Sequence, residues 1–237
     1  MKKFKVNLIC SLSNRSDFYT IGLVENNIPI NKVIILDDKN KKNKKQSKEI
    51  FLKYNNFIIN KKKNFDLICY LKEKQISFEV IKCKTINNLK VYSKIKSMIN
   101  EKYFIVSLFP GDIIKKNFFK LGKYFFHAHG GYLPNYRGST TNYYSYLDGK
   151  GLGASVIILN EYIDRGKIVF KFRTKHFKSI KNYDGCLDSF LRVYALCLSM
   201  KKFFKSKKLK KIKNDSIKGD DYYIIHPVLK NLSILQK

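Results

Sequence analysis

A chain of 237 residues and 27.9 kDa is enough for one domain of ordinary size with a short appendage, and too short for two large ones. Hydrophobic residues at 44% and aromatics at 14% supply a core able to bury roughly three-quarters of the unfolded surface, which excludes global disorder. The net charge of +30 would suit a polyanion, but only Arg15, Arg137, Arg165, Arg173 and Arg192 carry the planar fork that favours phosphate and base recognition; the lysines read as a solvated, self-repelling surface, and dedicated nucleic-acid binding is disfavoured.

In chain order, Lys5 to Leu12 is a short apolar, β-branched run, followed by a segment containing Ile21, Leu23 and Val24 and then by KVIILDD at Lys32 to Asp38. Asn64 to Lys74 reads as a helix that Asn64 can cap, with Phe65, Ile68 and Leu71 on one face. SFEVIKC reads as a strand, Leu89 to Ile99 as a helix, and YFIVSLFPGD as a strand; after Ile113 to Leu121 comes the strand KYFFHAHGG. Strands separated by helix-length segments, several of them apolar on both faces, predict an α/β class with a Rossmann-like, mostly parallel twisted sheet flanked by helices. TTNYYSYLDG looks helical, and GASVIILN and GKIVFKFR are strands joined by the short EYIDR, which predicts an antiparallel strand in the C-terminal half. Leu187, Phe190, Leu191, Tyr194 and Leu198 mark a core-facing helical stripe. The expected division is a catalytic domain over 1–204 and a basic segment with a docked tail over 205–237.

No stretch reaches the roughly 20 apolar residues a bilayer span requires, and MKKFKVNLIC lacks a secretory h-region, so no membrane segment and a cytoplasmic location are expected. Cys10, Cys69, Cys83, Cys186 and Cys197 are scattered and never spaced as CxxC; they read as reduced core thiols. Lysine runs at Lys41 to Lys45, Lys61 to Lys63 and Lys205 to Lys213 fall where loops or helix ends are expected.

The chain has no GxxxxGK[ST], no dinucleotide glycine fingerprint after its first strand and no GxSxG elbow. The histidines carry the chemistry instead. His127 and His129 lie two apart at a strand end, so their side chains leave the same face where an open α/β sheet places its binding crevice. GGYLPNYRGST follows, with Gly131 able to approach a ligand and Arg137 in an arginine-glycine turn, and the later loop NEYIDRG carries Asp164. A carboxylate there can fold back onto an imidazole, set its tautomer and favour its charged form. His-x-His on one face with Asp164 is also a metal-ligand spacing, so a metal-dependent hydrolase using His127, His129 and Asp164 stands as an alternative.

HAHGGYLPNYRG, TTNYYSYLDGKG and GASVIILNEYIDRGKIV together resemble the catalytic core of the formyltetrahydrofolate-dependent formyltransferases, over about Phe104 to Val169. Matched residue by residue, the resemblance puts the family histidine on His129, its Leu-Pro on Leu133 and Pro134, its turn on Arg137 and Gly138, and its aspartate on Asp164. Two positions depart from the pattern: the family asparagine is His127, and the serine two places after the histidine is Gly131.

What the resemblance implies is transfer of a formyl group from 10-formyltetrahydrofolate to a primary amine, with a cationic His129, aimed by Asp164, meeting the developing oxyanion and His127 offering an N–H where the family has an amide. It also implies a folate site against Leu108, Phe109, Pro110 and Gly111 and against Asn160 to Ile163. Arg15, Gly131 and Arg137 are the expected substrate-binding residues, and no metal is expected. The acceptor is expected to be a small-molecule amine, first a nucleotide-linked amino sugar, because no length remains for a separate tRNA-binding module. A formyltetrahydrofolate hydrolase is the closer variant, and a homodimer is compatible with either reading.

Overall fold

A computed structural model of the chain describes residues 4–40, 49–177, 180–212, 214 and 219–235. Its contacts divide into two compact units, Met1–His127 and Ala128–Lys237.

The first unit is built on a parallel sheet whose central strands are largely buried. β1 (Val6–Ser11) is buried along its whole length and pairs in parallel with β2 (Ile30–Asp37) on one side and β6 (Tyr103–Ser107) on the other. β5 (Phe78–Lys82) extends the sheet beyond β2, and β7 (Tyr124–His129) pairs in parallel with β6. Strands covered on both faces, as β1 is, read as near-continuous apolar runs.

Helix α1 (Asn14–Glu25) starts at Ser13, whose hydroxyl accepts from the Ser16 amide. It buries Ser16 through Leu23 on all sides, and Ser16 and Ser107 join hydroxyls 3.1 Å apart. Helix α2 (Leu67–Glu73) is capped by Asp66, which accepts from the Cys69 amide. This corrects the cap expected at Asn64: Asn64 instead takes a left-handed turn conformation, with φ of 56°. Helices α3 (Leu89–Ser97) and α4 (Lys116–Phe119) lead into β6 and β7 respectively.

A hairpin of β3 (Ile50–Tyr54) and β4 (Phe57–Lys61), not anticipated from the sequence, intervenes before α2. Burial alternates along β4, and its last inward residue is Lys61. The ammonium of Lys61 is buried 2.6 Å from both Asn14 Oδ1 and Asp17 Oδ2 of α1. Lys61 is therefore no member of a solvated run. Lys41 to Lys45 and Lys213 lie outside the described residues.

In the second unit β8 (Tyr136–Gly138) and helix α5 (Thr141–Leu147) precede the antiparallel pair β9 (Leu152–Ile158) and β10 (Lys167–Thr174). A π-turn at Tyr183–Leu187 opens into the long helix α6 (Asp188–Ser206), which is buried over more than the expected stripe, Val193, Leu196 and Met200 included. The tail supplies β11 (Asp220–Tyr222), parallel to β8, and α7 (Pro227–Leu235). Seven strands follow the hydrogen-bonded order β10-β9-β7-β6-β1-β2-β5, so the sheet is mostly parallel with an antiparallel strand at one edge, the expected α/β class.

Cys10, Cys83 and Cys197 are buried thiols, but Cys69 is exposed and Cys186 half-buried, which corrects the reading of all five as core. Among the described residues no helix is long and apolar enough to cross a membrane.

Candidate active site

β7 ends in His127, Ala128 and His129. Alternation along the strand gives the two histidines one face; His127 is half-buried and His129 is buried, 3% exposed. The chain then turns through Gly130 and Gly131, and both glycines are dictated by crowding. A Cβ on Gly130 would overlap the Asp188 carboxylate and the Arg192 guanidinium; one on Gly131 would fall within 3.0 Å of His129 Nε2, Thr141 Oγ1 and the Tyr136 carbonyl oxygen. The place where the resembling family has serine therefore has no room for a side chain here.

Asp164 reaches His129 from the β9–β10 connection. Its Oδ1 lies 3.3 Å from His129 Nδ1, and its Oδ2 accepts from the Gly138 amide at 3.1 Å. Asp164 holds a left-handed backbone, φ 53°, a conformation costing a residue with a Cβ about 1 kcal/mol and best tolerated by Asn and Asp. Asn214 clasps this turn by donating to the carbonyls of Asp164 and Gly166 at 2.7 and 3.0 Å. On the other side of the ring, His129 Nε2 is 2.8 Å from the Tyr136 carbonyl oxygen. Both ring nitrogens thus face oxygen acceptors.

The strand end carrying His129 rests on a polar network that sequence reasoning missed. Arg192 donates from Nη1 to the Ala128 carbonyl at 2.7 Å and pairs with Asp188 at 2.8 Å; Tyr183 donates to Asp188 at 2.9 Å. Burial beside that carboxylate pushes the Tyr183 phenol well above its ordinary pKa, keeping it a donor. Asn142 joins the network to β9, donating to the Gly153 carbonyl and accepting from the Gly153 amide at 2.8 and 2.7 Å. Ser155 bridges the turn, accepting from the Leu133 amide and donating to the Gly131 carbonyl. Only the i,i+4 spacing of Asp188 and Arg192 could have signalled any of this.

Arg137, expected at the substrate, instead faces the protein: its guanidinium donates to the Pro134 carbonyl at 3.1 Å, the Gly219 carbonyl at 2.6 Å and Asp221 at 2.8 Å. Asn160 organises its own loop, accepting from the Tyr162 amide at 3.1 Å, while Ile163 is 63% exposed. Arg15 sits in the first turn of α1, and Leu108 to Gly111 follow β6 directly, both within the first unit. Leu108 and Phe109 are half-buried, Pro110 and Gly111 exposed, and open space surrounds Gly111. Among the described residues no group of three His, Cys, Asp or Glu side chains is placed to hold a metal ion, so His127, His129 and Asp164 do not form a ligand triad.

No protein-family model matches the chain, and no curated protein matches it. Solved structures do. A sugar N-formyltransferase from Shewanella sp. FDAARGOS_354 is 14% identical, with a TM-score of 0.56 over 98% of this chain and 87% of that one. A formyltetrahydrofolate deformylase from Pseudomonas syringae pv. tomato is also 14% identical, TM-score 0.59 over 90% and 67%. An N-formyltransferase from Helicobacter canadensis, in complex with folinic acid and dTDP-3-aminofucose, is 16% identical, TM-score 0.54 over 92% and 71%. The architecture of this chain is that of the formyltransferase fold.

Proposed function

We propose that this protein transfers a formyl group from a reduced-folate donor, 10-formyltetrahydrofolate, to the primary amine of a small acceptor, first a nucleotide-linked amino sugar. One observation carries the reading: on a fold shared with formyltransferases, His129 and Asp164 stand 3.3 Å apart at the end of the strand where the resembling family keeps its histidine. The acceptor class is supported by the sugar N-formyltransferase likeness and by the aminofucose nucleotide bound in the Helicobacter structure.

The donor supplies the one-carbon unit; everything else falls to the chain. When an amine adds to the formyl carbon, negative charge gathers on the formyl oxygen, and a positioned N–H in a dry site stabilises it by about 3 kcal/mol. His129 is the group to do so. Its Nε2–H leaves the Tyr136 carbonyl for the stronger, charged acceptor, while Asp164 retains Nδ1 and holds the ring's plane. His127 supplies a second donor from the same strand face. The amine loses one proton as its bond to carbon forms, and the donor nitrogen gains one as its bond breaks; Asp164 is assigned the relay of that proton. Asn160 to Ile163, in the same unit as His129, would contact the donor chiefly through main-chain groups.

The deformylase likeness, at a TM-score of 0.59, favours one second reading, transfer of the same formyl group to water. Incubation with 10-formyltetrahydrofolate and a panel of amines, read by mass spectrometry, separates them. A formylated amine supports the proposal; release of formate independent of any amine replaces it with the hydrolase; neither product removes both.

A further inference from the structure

We infer that Asp221, on the tail strand β11, is a positioning residue for His129, acting through the two segments that grip the ring; the inference rests on the formyl-transfer reading. Each partner of the imidazole is followed directly by an arginine. Tyr136, whose carbonyl faces Nε2, precedes Arg137; Asp164, whose carboxylate faces Nδ1, precedes Arg165. Asp221 binds both arginines at once, Oδ1 lying 2.8 Å from Arg137 Nε and Oδ2 2.6 Å from Arg165 Nη2. One carboxylate thus ties the β8 segment to the β9–β10 connection.

The surrounding register makes the tie exact in direction. In the parallel pair, Asp220, Asp221 and Tyr222 stand beside Tyr136, Arg137 and Gly138. The Ser139 amide donates to the Tyr222 carbonyl at 2.8 Å, and the Tyr136 and Tyr222 rings stack 5.4 Å apart. The Gly138 amide in turn donates to Asp164 Oδ2. Movement of β8 away from the connection would therefore change both of the ring's contacts together.

Asp221 itself is 54% exposed, whereas Arg137 is 4% exposed. A half-exposed ion pair contributes little to stability, and Arg137 keeps the Pro134 and Gly219 carbonyls without it. What Asp221 adds is placement, and a displacement of about 1 Å at a reacting group can cost up to about a hundredfold in rate.

The test uses the full chain with Asp221→Asn, Asp221→Glu, Arg165→Gln and the Asp221→Asn/Arg165→Gln pair. Steady-state kinetics with 10-formyltetrahydrofolate and the acceptor found by the panel are combined with the imidazole 15N shifts of His129, assigned by comparison with His129→Ala. The expected result is a kcat about tenfold lower in Asp221→Asn with acceptor KM within about twofold, displaced His129 shifts, partial recovery in Asp221→Glu, and a double variant no worse than the worse single one. Unmoved His129 shifts, or equal losses that track a fall in thermal midpoint across all variants, overturn the inference. Should the wild type form no formylated amine, the functional reading fails, and the ring shifts alone then decide the clamp: displaced in its favour, unmoved against it.

Discussion

The Tyr136 carbonyl oxygen stands 2.8 Å from His129 Nε2, opposite the Asp164 carboxylate at Nδ1. The ring is thus held between a neutral acceptor that a stronger one can displace and a charged acceptor that stays. If formyl transfer follows that exchange, His129→Ala and Asp164→Asn should each lower kcat/KM by about 10²- to 10³-fold, with unchanged far-ultraviolet circular dichroism. Activity within a few-fold of wild type in either variant refutes the assigned roles.

Replacing His127 by Asn restores the residue of the resembling family on the same strand face. Where the imidazole serves as one N–H donor, the amide should serve as well, and His127→Asn should keep or raise kcat. A drop of about a hundredfold or more, measured by initial rates at saturating acceptor, would show that the ring has a role no amide can fill.

Gly131→Ser, the other reversion toward the family pattern, should fail. The new Cβ meets His129 Nε2, Thr141 Oγ1 and the Tyr136 carbonyl, and overpacking of this kind costs about 1–3 kcal/mol. Urea unfolding should show that loss together with reduced turnover; wild-type stability and rate would mean that the loop opens more readily than its packing indicates.

Asp17 offers a test by pH. Burial outweighs its contact with Lys61 and pushes its carboxyl up to about 6. The folded state therefore binds the proton more tightly than the unfolded chain does. The Asp17 contribution is greatest below the unfolded carboxylate range, near pH 4, and is lost as pH rises toward 6. In Asp17→Asn that segment of the stability–pH curve should be flatter than in wild type, as measured by denaturant titration from pH 4 to 7. An identical slope would mean that Lys61 holds the carboxylate ionised throughout.

Much of this architecture was legible because β1, β2 and β6 are apolar on both faces and α/β alternation leaves few arrangements. α1 was not: it is buried on every side and shows no polar stripe from which a helical period could be read. The β3–β4 hairpin hid behind Lys61, an inward residue of the outward type. In the site, His129 and Asp164 could be paired on paper because His129 closes a strand and Asp164 lies in the short loop between two strands. The Tyr136 carbonyl and the chain from Ala128 through Arg192, Asp188 and Tyr183 to Asn142 could not, since a backbone acceptor has no residue identity and contacts spanning as many as 64 positions leave no spacing to recognise.

The hairpin's last residue has a consequence for anyone hoping to trim this protein to a minimal scaffold. Excising residues 50–61 would remove the ammonium beside Asp17 and leave its buried carboxyl, in the first turn of α1, without its cationic partner. What looks like a detachable ornament is a rivet, and any shortened version needs an uncharged side chain at position 17 before the cut is made.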